Sequence, residues 1–265
     1  MLAFNHLGRL GQLGNQMFQY AALKGIATKH GYEYMIPKHD VFVDALGNKL
    51  RTELFDAFDI DVKTGLLNVP ENKYLQEPHY EYSKEFVNEC PDGVSIFGFF
   101  QTEKYFKHIK EEIKKDFTFK KQIRDECKEI VEELFEDPIA LHVRRGDYLI
   151  NSGNHHNLTI DYYKKALQKF DSNRQVVVFT DDPEWAFDHE FFSGDRFIIS
   201  EDVGPYHDLY MMTQCSDFII ANSSFSWWAA WLADKGTVVA PKKFFGPNLA
   251  YKNTKDLYPK GWRVL

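Results

Sequence analysis

Between residues 139 and 240, short apolar runs alternate with stretches whose apolar positions recur at helical spacing. Ile139–Val143 and Val176–Thr180 are continuous and largely aliphatic, as strands covered on both faces should be. Phe197–Ser200, Phe218–Ala221 and Thr237–Ala240 repeat that pattern in shorter form. Ile160–Phe170, Pro183–Phe192, His207–Cys215 and Ser226–Asp234 lie between them and predict helices. Such alternation implies βαβ units and a parallel sheet. The first half is less regular. Gly14–Lys29 predicts a helix after a glycine loop, and Tyr34–Ile36, Tyr74–Gln76 and Val94–Phe99 are its strand candidates. A charged, helix-favouring stretch then fills residues 102–136 and closes at Pro138. The domain junction is placed there, giving two α/β halves, 1–136 and 137–265, with a cleft between them.

Composition narrows the class without naming it. The 265 residues are 44% hydrophobic and 27% charged, ordinary for a globular chain. Aromatic residues reach 16%, with 23 Phe, so large rings should dominate the core. A net charge of −7 argues against a general nucleic-acid binder, whose footprint is basic. An anionic ligand would need a local basic pocket. Cys90, Cys127 and Cys215 are scattered, with neither zinc spacing nor a disulfide framework. With no leader-like opening and no apolar run of membrane-spanning length, a cytoplasmic location is expected. Peripheral contact with an inner membrane face stays open.

Chemistry concentrates where strands end. Ligands of open parallel sheets sit at the carboxyl ends of the strands. "HVRRGDY" (142–148), "TDDP" (180–183) and "ANSSFSWW" (221–228) all follow apolar runs of the second half. His142 and Arg144 alternate with Val143 and share a face, while Arg145 points the other way. A guanidinium forks onto phosphate with two parallel hydrogen bonds. Asp147 can hold an arginine or bond a ligand hydroxyl. Ser223, Ser224 and Ser226 precede an aromatic helix, as N-caps or as part of an anion site at a helix start. Trp227 and Trp231, four apart, read as core. Asp181 and Asp182 precede Pro183, so they either cap a helix or accept hydrogen bonds from a base or ribose. Asp59 and Asp61 form a D-x-D away from this rim. In "GRLGQLGNQMFQYA" (8–21), Gly8, Gly11 and Gly14 match neither a dinucleotide fingerprint nor a P-loop.

Together, "LGNQMFQYA", "HVRRGDY", "TDDP", "NSSFSWWAAWL" and "KKFFGP" (242–247) resemble the bacterial α-1,2-fucosyltransferases of glycosyltransferase family 11. The motifs stand in family order from about residue 8 to 247. His-x-Arg-Arg-x-Asp is shared with α-1,6- and protein O-fucosyltransferases, while the glycine loop and Ser-Phe-Ser-Trp-Trp narrow the choice. The opening "MLAFNHLGRLG" is less apolar than the family's usual first strand and leaves that strand's register open.

The resemblance implies an α/β, GT-B-like fold of two Rossmann-like halves, the C-terminal half binding the donor. It implies inverting transfer of fucose from GDP-β-L-fucose to the 2-hydroxyl of a galactose-terminated glycan, with no cofactor and no metal. Arg144 would contact the diphosphate and His142 the nucleoside. Ser223, Ser224 and Phe225 would line the phosphates, and Asp181 or Asp182 would accept from guanine. Asn15 would face the fucose and acceptor. The proton acceptor stays open among Asp147, Asn15 through a water, and another residue of the first half. Other readings are a fucosyltransferase of different linkage, a metal-dependent transferase using Asp59 and Asp61, and a non-catalytic GDP-sugar binder.

Overall fold

The computed structural model describes residues 1–38, 41–43, 49–134, 137–201 and 203–265. Two compact units emerge. One comprises Met1–Lys120 with Lys252–Pro259, the other Lys121–Tyr251 with Lys260–Leu265.

The first unit is built on a parallel sheet. Its elements begin with β1 (Leu2–Ala3), α1 (Leu13–His30), β2 (Tyr34–Met35) and an antiparallel pair, β3 (Val41–Val43) and β4 (Lys49–Arg51). Next come α2 (Leu54–Ala57), β5 (Tyr74–Gln76), α3 (Lys84–Glu89), β6 (Ser95–Phe97) and α4 (Lys110–Asp116). The sheet order is β2-β1-β6-β5, all parallel. β1 therefore sits inside the sheet although only two residues long, which settles its register against Tyr34 and Ser95. Helix α1 is buried along most of its length and ends at Gly31, whose φ of 69° is the left-handed cap that Schellman-type closures use. Rings fill the core as the composition suggested. Phe58 lies 5.0 Å from Phe117 and 4.9 Å from Phe119, and Phe100 stands edge-on to Tyr105 at 5.1 Å.

The second unit opens with α5 (Lys121–Glu126) and α6 (Lys128–Leu134), followed by β7 (Ile139–Val143), α7 (Gly146–Ile150), α8 (Ile160–Leu167) and β8 (Val176–Thr180). It continues with α9 (Pro183–Asp188), β9 (Phe197–Ile199), α10 (Pro205–Gln214), β10 (Asp217–Ile219), α11 (Ser224–Ala233), β11 (Val238–Ala240) and β12 (Arg263–Val264). Six parallel strands run in the order β12-β11-β10-β7-β8-β9. The strand between the two inner neighbours, β7, is buried at every position, as is β8. These are the runs whose apolar continuity marked them in the sequence.

The division differs from a single cut near residue 136. Helix α5 packs with the second unit, where Glu126 meets His207 Nε2 of α10 at 2.6 Å. Phe135 and Glu136, at the expected junction, lie outside the described residues. The chain also returns: Asp256 accepts from Tyr82 N at 3.2 Å and Lys104 Nζ at 2.5 Å, which ties residues 252–259 to the first unit. Cys90, Cys127 and Cys215 are buried free thiols. Among the described residues, no helix is long and apolar enough to cross a membrane.

Candidate active site

Strand β7 delivers His142 to its carboxyl end with the side chain 4% exposed. Burial, aided by the Arg144 charge, pushes its pKa down to about 3, so the ring is neutral at physiological pH. Its Nδ1 lies 2.9 Å from Ser226 Oγ in the first turn of α11. That contact pins the start of α11 to the end of β7. Ser223 is the N-cap of α11: its hydroxyl accepts from Phe225 N at 3.3 Å. Ser224 and Phe225 follow it, both partly exposed, with the Phe225 ring 5.6 Å from His142. The helix start thus offers backbone N–H groups and the positive end of a ten-residue dipole.

Arg144 is held from two sides. Its Nη2 donates to Asp147 Oδ1 at 2.6 Å, and Nη1 lies 3.2 Å from Asp181 Oδ2. Tyr148, one turn into α7, packs 5.7 Å beneath the guanidinium, and its hydroxyl donates to Asn222 O at 2.9 Å. Tyr148 also interacts with the Ser223 hydroxyl, so one ring touches both the arginine and the helix cap. Burial raises that phenol to about 12, which keeps it a neutral donor. The tight packing explains Gly146: a Cβ there would stand 2.4 Å from Asp181 Oδ2.

Arg145 turns elsewhere. Its Nε donates to Asp182 Oδ2 at 2.9 Å and its guanidinium lies 3.9 Å above the Trp185 ring. Asp182 meanwhile caps α9 by accepting from Trp185 N, with Pro183 in the first helical position. Asp181 accepts from Arg145 N at 2.8 Å as well as facing Arg144. Both carboxylates are engaged within the protein. The structure brings His142, Arg144, Asp147, Asp181, Ser223, Ser224 and Phe225 to one rim and turns Asp182 to Arg145 and the α9 cap.

One carboxyl past the end of β9 escaped the sequence reading. Asp208, in the first turn of α10, accepts from Ser200 Oγ at 2.6 Å just past β9. Burial raises its pKa to about 6. An aspartate in an early helical turn looks like ordinary dipole compensation, so no signal marked it.

Asn15 belongs to the first unit, in the first turn of α1, where its Oδ1 accepts from Gln101 Nε2 at 2.6 Å. The glutamines of its motif are structural. Gln16 Nε2 donates to Gly11 O and Arg51 O while its Oε1 accepts from Glu53 N. Gln19 Nε2 bridges Leu10 O and Gly98 O. Asp59 and Asp61 are exposed in this unit, and no group of three His, Cys, Asp or Glu suited to a metal occurs among the described residues.

Comparison with known sequences decides the family. The profile of Glycosyl transferase family 11 matches residues 4–265. The chain belongs to glycosyltransferase family 11. Among its relatives, the Escherichia coli O-antigen biosynthesis glycosyltransferase WbnK is 27% identical, over 93% of this chain and 96% of that protein. An Escherichia coli α-1,2-colitosyltransferase is 30% identical, over 95% of each. Human galactoside α-(1,2)-fucosyltransferase 1 is 26% identical, over 86% of this chain and 65% of that protein. Two solved structures share the fold of the family 11 chain. NodZ α-1,6-fucosyltransferase soaked with GDP-fucose aligns with a TM-score of 0.53 at 15% identity, over 87% of this chain and 92% of that one. POFUT1 in complex with GDP-fucose aligns at 0.52 and 13%, over 88% and 94%. The fold is therefore of the expected GT-B-like α/β class.

Proposed function

We propose that this family 11 enzyme transfers L-fucose from GDP-β-L-fucose, with inversion, to the 2-hydroxyl of a terminal β-galactose, without a metal. The carrying observation is Arg144, fixed between Asp147 and Asp181 and joined through Tyr148 to the start of α11. Relatives described as α-1,2-fucosyl- and α-1,2-colitosyltransferases support the reaction and linkage. The GDP-fucose complexes of the structural neighbours support the donor.

As the bond to fucose breaks, the sugar becomes oxocarbenium-like and negative charge grows on the departing β-phosphate. Groups already aimed at that position stabilise the charge without reorganising. Arg144 supplies the fixed cation, and the start of α11 supplies the positive end of its helix dipole. His142, neutral and turned by Ser226, takes the nucleoside side. Asp147 orders Arg144, and we assign it the acceptor proton. For Asn15, in the first unit, we propose hydrogen bonds to sugar hydroxyls. Because Asp181 and Asp182 are spent on Arg144, Arg145 and the α9 cap, we place the guanine edge at Asp208. Guanine presents adjacent N–H donors, which a carboxylate accepts together.

A second donor is favoured by the 30% identity to the colitosyltransferase. Offering GDP-fucose and GDP-colitose in competition, with linkage analysis of the product, tests both readings. An α-1,6 or O-linked product would support the shared His-x-Arg-Arg-x-Asp motif and refute the α-1,2 assignment. Binding of GDP with neither transfer nor donor hydrolysis would indicate a sugar-nucleotide binder. A lipid-linked acceptor would place the chain at the inner membrane face, which vesicle flotation reads.

A further inference from the structure

The first unit contains a buried carboxylate that the reaction scheme leaves unused. Glu77 follows β5 directly, and its Oε2 accepts from two successive backbone groups, Phe99 N at 2.8 Å and Phe100 N at 3.0 Å. These belong to the turn leaving β6. Phe100 there has φ of 53°, a conformation that a bulky non-glycine residue adopts only when its surroundings impose it. Gly98 opens the turn, and a Cβ there would stand 2.4 Å from Glu77 Cβ. The next residue is Gln101, whose Oε1 accepts from Tyr80 Oη at 2.6 Å and whose Nε2 donates to Asn15 Oδ1 at 2.6 Å. Gln19 ties the same turn to the glycine loop through Gly98 O and Leu10 O.

We infer that Glu77 is a positioning residue for transfer: its carboxylate clamps the 98–101 turn so that Gln101 fixes Asn15 in one orientation. The inference rests on the proposed role of Asn15 toward the transferred sugar and acceptor. An amide that hydrogen-bonds sugar hydroxyls must present its oxygen and nitrogen the right way round. Gln101 Nε2 does this by claiming the Asn15 oxygen, which leaves the Asn15 nitrogen, set against Gly11, as the remaining donor. Gln101 is in turn held the right way round by the Tyr80 hydroxyl. The clamp forces Phe100 into its left-handed conformation and so decides where Gln101 begins.

The same group makes the device sensitive to pH. Burial raises the Glu77 pKa to about 7 against the two backbone donors, the Lys252 ammonium and the Tyr105 hydroxyl, which lower it. Its Oε1 is buried without a hydrogen bond of normal geometry. Lys252 lies over the Tyr80 and Phe99 rings at 5.5 and 5.8 Å, and Tyr105 accepts from Ser83 N. As pH rises through about 7, the carboxylate forms and its two N–H bonds become charge-assisted. Activity should rise with it.

Wild-type and Glu77→Gln full-length proteins test this with three readouts. In wild type without ligand, the side-chain NH₂ signals of Asn15 and Gln101 should titrate with a midpoint near pH 7. In the variant they should not. Its kcat should fall about 10–100-fold, the cost of a misplaced polar group, and lose its acid limb. GDP affinity, a property of the second unit, should not change. Wild-type amide signals indifferent to pH would overturn the inference even if the variant fails to fold. So would a variant with wild-type kcat and the same acid limb. Titrating amides in a wild-type protein that transfers no fucose would instead refute the proposed function and leave the clamp standing.

Discussion

Replacing Arg145 by lysine should cost stability alone, whereas replacing Arg144 by alanine should cost catalysis as well. Arg145 Nε reaches Asp182 at 2.9 Å, its plane lies 3.9 Å over Trp185, and both side chains of the ion pair are about one-quarter to one-third exposed. Lysine keeps the charge but loses the planar fork and most of the stacking. A cation–π contact is worth about 0.5–2 kcal/mol and a half-exposed ion pair about 0.2–1. Arg145→Lys should therefore destabilise by about 1–2 kcal/mol, roughly 2–8 °C in Tm for a chain of this size. Its kcat/KM should stay within about threefold of wild type, because Asp182 still caps α9. Arg144 meets exposed Asp147 but also Asp181 and the Tyr148 ring, so its removal should cost a comparable amount of stability, about 1–2 kcal/mol. Yet kcat should fall about 10²–10³-fold, or roughly 3–4 kcal/mol of transition-state stabilisation. Thermal unfolding and continuous GDP-release kinetics read the two effects independently. Equal losses of activity would refute this division of labour.

Three further outcomes follow from named contacts. Ser226→Ala removes the partner of the buried His142 Nδ1 and should destabilise by about 1–3 kcal/mol while weakening GDP binding, measured by denaturant unfolding and calorimetry. His142 is held neutral, so unfolding takes up its proton: its stabilisation is complete above its ordinary value of 6.5 and is lost as pH falls toward about 3. Glu77 runs the other way, its contribution present below 4.5 and lost as pH rises through about 7. Unfolding curves of His142→Asn and Glu77→Gln across pH 4–8 should therefore diverge from wild type in opposite directions. Asp147→Asn leaves an oxygen for Arg144 but no base. A fall of about 10²-fold or more in kcat supports Asp147 as the proton acceptor, and a full-rate variant would exclude it.

The sheet of the second unit was legible because β7 and β8 are continuous apolar runs between breaks, and burial on both faces demands that pattern. The rim was legible for the same reason, since a polar cluster after such a run has only the sheet edge to occupy. What each polar group does there was not. Asp182 before Pro183 fits an N-cap and a nucleotide contact equally well in the sequence, and the bonds it accepts from Trp185 N and Arg145 Nε show the cap. β12 and the return of residues 252–259 depend on pairings with distant parts of the chain, for which two or three residues carry no local period. Glu77 was invisible because "QEPHYEY" reads as a polar loop, and its burial is created by the 98–101 turn. Asn15 could be named only through the family motif. Its orientation depends on Gln101, 86 positions away.

The most direct test of the central claim is transfer from GDP-fucose to lactose and to lacto-N-biose in the presence of chelator, with the products solved by NMR. The account predicts an α-1,2-linked fucosyl galactose formed at an undiminished rate. A product of another linkage, activity abolished by chelator, or failure to bind GDP would contradict it.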